Sequence, residues 1–94
     1  EKLRIVLLDP FVLKSGWWMN KGGEWDISRA QIKSMGQIVS KLARDFNAVH
    51  IKTQEVFDVA AKLTGPEQWI WDGVHPLPQG HELIARNWLE RVSS

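Results

Sequence analysis

The chain has 94 residues, of which 44% are hydrophobic and 24% charged, an ordinary composition for a soluble globular domain. Twelve basic and eleven acidic side chains leave a net charge of +1 without any basic run, which argues against binding to nucleic acid. The chain has no cysteine and no apolar run of membrane-spanning length, so we expect neither a disulfide framework nor a membrane span.

A βαβ unit is predicted for the first half of the chain. Leu3–Leu8 is a nearly continuous apolar run that stops before Pro10, as in a strand buried on both faces of a parallel sheet. Ile27–Phe46 has apolar residues at helical spacing, with Asp26 as a candidate N-cap. Ala48–Lys52 follows as a short strand, which we expect to lie parallel to the first.

A long loop, Phe11–Asp26, is predicted between the first strand and the first helix. It contains half of the six tryptophans of the chain and leaves the carboxyl end of a strand, where ligands bind in open α/β sheets. Tryptophan is suited to stacking on the apolar face of a sugar, although the three rings could also simply pack the loop onto the protein. We therefore take Trp17, Trp18 and Trp25 as candidate substrate-binding residues.

Two further helices are predicted in the second half. The first covers Thr53–Leu63, with Thr53 as a candidate cap, and ends at the Gly65-Pro66 pair. The second runs from about Pro78 to Val92, because Pro78 suits a first helical turn and apolar residues follow at helical spacing.

The segment between these helices contains two neighbouring residues capable of acid–base chemistry. Asp72 and His75 are three positions apart, and the turn residue Gly73 lies between them. A carboxylate and an imidazole on one tight turn can hydrogen-bond to each other, which fixes the histidine tautomer as general-base catalysis requires. Two other interpretations are open at this point: a structural turn, or a metal site formed with His81.

The amino-acid sequence of this segment resembles the last sequence block of the SGNH (GDSL-type) esterases and lipases. The similarity covers Asp72-Gly73-Val74-His75-Pro76, the tryptophan before it, and the Gly80-His81 pair with its amphipathic helix. The resemblance implies that His75 is the general base of a catalytic triad and that Asp72 orients it. It implies no cofactor and no metal. The nucleophilic serine and the oxyanion-hole residues of the family lie in earlier blocks, which this chain lacks.

The resemblance also implies a fold and a partner. SGNH hydrolases are flavodoxin-like three-layer α/β/α sandwiches with a five-stranded parallel sheet, and the two strands of this chain would be the fourth and fifth. We therefore expect residues 1–94 to be the C-terminal portion of one hydrolase domain, inert without its N-terminal half, or without another copy of the chain in that role.

Three functions remain open from the sequence. The first is an ester hydrolase, favoured for short acyl esters of carbohydrates because of the tryptophans, with lipid or aryl esters as rival substrates. The second is a non-catalytic module that binds a carbohydrate or a partner. The third is a metal-dependent hydrolase.

Overall fold

The computed structural model describes residues 4–93, which form an α/β unit around a two-stranded parallel sheet. β1 (Val6–Leu8) pairs with β2 (Val49–Ile51), and Leu7 lies opposite His50. The predicted parallel pairing is confirmed, although both strands are shorter than predicted. Leu3, at the start of the predicted first strand, lies outside the described residues.

The helices account for most of the described chain. They are α1 (Gly16–Met19), α2 (Glu24–Asp45), α3 (Thr53–Thr64) and α4 (Pro78–Ser93), with a 3₁₀ turn at Pro66–Gln68. α2 contacts both strands, whereas α4 contacts β2 and α3. The predicted extent of the last helix is confirmed. No helix within residues 4–93 is long and apolar enough to cross a membrane.

The predicted long loop is wrong in two places. It contains the short helix α1, and its last residues belong to α2, which begins at Glu24 with Gly23 as its N-cap. Asp26 therefore lies in the first helical turn, where its negative charge interacts favourably with the helix dipole, and does not cap the helix.

Helix α3 begins at Thr53 as predicted, but the predicted capping role of Thr53 is wrong. Lys52 is the N-cap residue, and Thr53 is the first residue of the helix. The Thr53 side chain is fully buried and its hydroxyl donates a hydrogen bond to the backbone carbonyl of Asp9. Thr53 thus ties the helix to the end of β1 instead of capping its own helix.

Asp9 forms a second cross-strand link. Its Oδ1 lies 2.6 Å from Nε2 of His50, and both side chains are nearly buried, with exposed fractions of 12% and 14%. Its backbone N–H donates to the carbonyl of Ile51 at 3.0 Å. These contacts fasten the carboxyl ends of the two strands to each other.

The core is small and lies beside the segment that contains Asp72 and His75. Leu13, Phe57 and Ile70 form its buried centre, and the Phe11 ring packs at a tilt against Phe57 with ring centroids 4.8 Å apart. This core therefore holds together the chain after β1, helix α3 and the residue two positions before Asp72.

A stripe of apolar side chains along α2 is exposed. It runs along one side of the helix and comprises Ile27, Met35, Ile38, Leu42 and the C-cap residue Phe46. The helix packs on the sheet through a different side, on which Ala43 is buried. Within the described residues β1 pairs only with β2, and Ile5 just before it and Leu8 at its end are exposed. α2 and β1 thus present apolar surface that residues 4–93 do not cover.

Candidate active site

The segment from Trp69 to Leu77 folds back on itself. The N–H of Trp71 donates to the carbonyl of His75 at 3.4 Å, and the N–H of Leu77 donates to the carbonyl of Trp69 at 2.8 Å. Asp72–His75 is therefore the tip of a closed loop, from which the chain continues into α4.

The Asp72 carboxylate organises this tip through three hydrogen bonds. Its Oδ1 accepts the backbone N–H groups of Val74 and His75 at 3.1 and 2.7 Å. Its Oδ2 lies 2.5 Å from Nδ1 of His75, which is the contact predicted from the sequence. Gly73 makes this turn with φ +95°, a conformation that glycine adopts without steric cost. Because Nδ1 is engaged by Asp72, Nε2 is the ring nitrogen left to act on a substrate.

The imidazole of His75 is open to its surroundings. Its side chain is 70% exposed, so residues 4–93 do not enclose the ring in a cleft. The ring of Trp71 stacks beside it, with centroids 6.3 Å apart and planes inclined by 25°. Trp71 is itself 59% exposed, so an aromatic face and a nitrogen base are presented together on one side of the turn.

The segment that follows β1 packs against the Asp72 turn and hydrogen-bonds to it. The N–H of Leu13 donates to the carbonyl of Gly73 at 3.0 Å, and Met19 packs directly on Gly73. A Cβ atom on Gly16 would lie 2.7 Å from the carbonyl oxygen of Trp71 and 2.8 Å from Cα of Asp72. Only glycine lets the backbone at position 16 come this close to the backbone of Trp71 and Asp72, so α1 packs directly against the Asp72 turn.

The three candidate tryptophans do not form one cluster. Trp17 and Trp18 lie in α1, exposed by 74% and 49%, with Lys21 Nζ 4.9 Å from the centroid of each ring. The seating of α1 therefore places these two beside the Asp72 turn. Trp25 is half-buried in α2, next to Arg29, and lines a separate cavity. The sequence grouping of all three in one loop is thus corrected.

The hydrogen bonds to Asp72 also set its ionisation. Burial raises the pKa of its carboxyl, but this effect is outweighed by the imidazole of His75, the N–H groups of His75 and Val74, and the attraction of a charged imidazole. The net result is a pKa below the ordinary value of 3.8. Asp72 is therefore a carboxylate at neutral pH, as an orienting partner must be.

A second Asp–His pair, Asp9 and His50, was not predicted from the sequence as a site. It differs from the first pair in two respects that matter for catalysis. Asp9 holds Nε2 of His50, and the histidine is nearly buried between the strands and α2, whereas the ring of His75 is exposed. We interpret Asp9–His50 as a structural link. The only signal for it in the sequence was the place of Asp9 at the end of a strand.

The metal alternative finds no support in the geometry. Within residues 4–93 no group of three or more histidine, aspartate or glutamate side chains is placed to hold an ion. His81 lies in the first turn of α4, where its N–H donates to the carbonyl of Leu77, and does not join Asp72 and His75 in such a group. Ser15 cannot act as a nucleophile in this arrangement, because its side chain is completely buried.

Comparison with curated proteins finds two esterases, although no family model matches the chain. Over 88 residues the chain is 31% identical to the acetylxylan esterase of Geobacillus stearothermophilus, covering 94% of this chain and 37% of that protein. Over 86 residues it is 28% identical to a multidomain esterase of Ruminococcus flavefaciens, covering 88% of this chain and 9% of that protein. The chain thus spans well under half the length of these relatives.

Solved structures show the same likeness. A protein from Parabacteroides merdae named as a GDSL-like lipase superposes with a TM-score of 0.83 at 32% identity, over 96% of this chain and 39% of that one. The Geobacillus stearothermophilus acetylxylan esterase superposes with a TM-score of 0.77 at 30% identity, over 97% and 38%. The expected α/β fold is confirmed by these matches.

Variants of the acetylxylan esterase are informative about its own site. Those called catalytic mutants replace a serine, an aspartate or a histidine by alanine, and the aspartate and histidine are three positions apart. A further variant replaces a tryptophan immediately before that aspartate. The serine lies 176 positions before the aspartate, a separation greater than the length of the present chain.

The ionisation of Asp72 can be measured directly. We expect its carboxyl carbon to titrate below 3.8 in a ¹³C NMR pH series, because three hydrogen bonds favour the charged form. The pKa is lowered on folding, so this stabilisation is present above pH 3.8 and is lost as pH falls through the folded pKa. In the His75→Ala variant the pKa should move towards its ordinary value. A carboxyl that titrates at or above 3.8 in the parent protein would contradict the hydrogen-bonding described.

Proposed function

We propose, from the membership of this chain in the SGNH (GDSL-type) hydrolase family, that it supplies the acid–base pair of a serine esterase active site. The observation that carries the proposal is the 2.5 Å contact between Asp72 Oδ2 and His75 Nδ1, which leaves Nε2 on an exposed ring. The same residue types at the same spacing are catalytic-mutant positions in the acetylxylan esterase, and this supports the assignment.

In the proposed reaction the nucleophile comes from outside this chain. His75 Nε2 takes the proton of a serine hydroxyl as the serine oxygen attacks the ester carbonyl, and Asp72 stabilises the imidazolium that results. The imidazolium then protonates the departing alcohol, leaving an acyl-serine. Water attacks the acyl-serine with His75 as base, which releases the acid and restores the serine.

The proposed source of the serine is an N-terminal half of the same domain, residues 1–94 being the C-terminal portion. The serine of the acetylxylan esterase lies 176 positions before its aspartate, so its counterpart would precede Glu1. The edge of β1 that residues 4–93 leave unpaired and the apolar stripe of α2 support such a partner, because an apolar strand edge and helix face are normally covered in a folded domain.

We propose the acetyl ester of a carbohydrate as the substrate. One support is the acetylxylan esterase among the relatives. The other is the position of Trp17 and Trp18, exposed on a helix seated against the Asp72 turn, where they could stack on sugar rings beyond the reacting ester. The tryptophans also fit a non-catalytic carbohydrate-binding module, and activity measurements distinguish the two functions.

The role of His75 is tested by replacing it in the complete domain. We expect His75→Ala to lower kcat for p-nitrophenyl acetate by a factor on the order of 10³ or more, because the base is lost, with folding intact. His81→Ala is the matched control, since it removes another exposed histidine six positions away and should leave kcat unchanged. Equal activity of the parent and His75→Ala proteins would overturn the esterase proposal and favour the binding module.

The partner surface is tested by introducing charge into the α2 stripe. Ile38→Asp should weaken association of this chain with a separately produced N-terminal half by on the order of tenfold or more, because a carboxylate would be buried in an apolar contact. Gln37→Asp is the control, since it adds the same charge at an exposed position outside the stripe. Calorimetric titration measures both, and equal effects of the two variants would show that the stripe is not the contact surface.

The substrate proposal predicts a selective effect at α1. Trp17→Ala should raise KM for an acetylated oligosaccharide several-fold and leave kcat/KM for p-nitrophenyl acetate unchanged, because the ring would contact only the larger substrate. Leu63→Ala is a suitable control, being a similarly exposed apolar residue on α3. If Trp17→Ala impairs both substrates equally, its role is to support α1 and not to bind sugar.

A further inference from the structure

Trp25, which the structure separates from the other candidate tryptophans, lines a cavity of about 530 Å³. The cavity is open to the surface and lies between the chain after β1, the start of α2 and the end of α3. Its walls include Leu13 and four charged side chains. The volume is within the range of small-molecule sites.

Two of the charged side chains neutralise each other and stiffen the wall. Arg29 forms a bidentate pair with Asp58, with nitrogen–oxygen distances of 2.8 and 3.1 Å. Gln54 donates to the same carboxylate at 3.0 Å. The Arg29 guanidinium also lies 5.7 Å from the Trp25 ring centroid, which restrains the indole. The aromatic wall is therefore positioned before any ligand arrives.

The other two charges are uncompensated. Lys14 and Lys62 face the cavity and are exposed, and neither forms an ion pair with another residue in the range 4–93. With Arg29 and Asp58 cancelling, the lining has a net charge of about +2 at neutral pH. An aromatic wall beside two free ammonium groups is complementary to a ligand with a flat apolar face and a negative charge.

The cavity is also close to the proposed reacting centre. The Cβ position of Gly16 is 2.8 Å from Cα of Asp72, and Lys14 is two residues before Gly16. Two residues of extended chain span about 7 Å, so the backbones of Lys14 and Asp72 are within about 12 Å of each other. One wall of the cavity, at Lys14, is therefore within reach of an oligosaccharide bound at the Asp72 turn.

We propose that this cavity is a subsite for a uronic acid residue, a sugar that carries a carboxylate, within an acetylated oligosaccharide. The inference rests on the proposed function for its substrate class. The Trp25 indole contacts the apolar face of the sugar, and Lys14 and Lys62 bind the carboxylate. The subsite thereby selects acidic regions of a polysaccharide for deacetylation.

The test measures binding without turnover, in the His75→Ala variant of the complete domain. The probes are an acetylated xylo-oligosaccharide with one glucuronic acid branch and the same compound with glucose in that place. Calorimetry should show tighter binding of the acidic probe by about tenfold, decreasing as salt is added. Lys14→Gln combined with Lys62→Gln should abolish this difference and leave the neutral probe unaffected.

A charge-matched control separates local from long-range effects. Lys33→Gln combined with Lys52→Gln removes the same charge around the cavity next to His50 and should preserve the preference. Equal binding of both probes to the parent site, or equal loss in the two double variants, would overturn the subsite. Because no probe is hydrolysed in this measurement, its outcome is independent of whether p-nitrophenyl acetate hydrolysis requires His75.

Discussion

The close contact between the chain after β1 and the Asp72 turn is the constraint on which the candidate site depends. Two glycines, Gly16 and Gly73, adopt positive φ angles there and let the two backbones approach to van der Waals distance. Without that approach, α1 could not be seated against the turn and its tryptophans would lie elsewhere. Packing between distant parts of the chain therefore places Trp17 and Trp18, whereas the Asp72–His75 contact itself is made within four consecutive residues.

This difference explains what the sequence could predict. The Asp72–His75 contact was predictable because a short turn around Gly73 leaves few arrangements for the two side chains. The parallel strands followed from their apolar runs, and the last helix from its proline start. In each of these cases the deciding interactions lie within a few residues along the chain, or within one repeating pattern.

The errors have the opposite origin. The Asp9–His50 contact depends on the strand register, which brings residues 41 positions apart together and is not specified by either strand alone. Threonine is a residue type that often caps helices, but the Thr53 hydroxyl donates its hydrogen bond to the carbonyl of Asp9 just after β1. The apolar pattern of α2 correctly predicted a helix. It could not show that the helix has two apolar sides, one packed on this sheet and one exposed.

Because the Asp72–His75 contact forms locally, it determines how the rate of hydrolysis should depend on protein concentration. The acid–base pair is preorganised within this chain, and in the proposed enzyme the nucleophile is contributed by other residues. If the two parts are supplied as separate chains, hydrolysis should follow the concentration of their complex and rise with the product of the two concentrations when both are dilute. A domain divided before β1 would thus be inactive as either separate part and active only when the two parts bind each other.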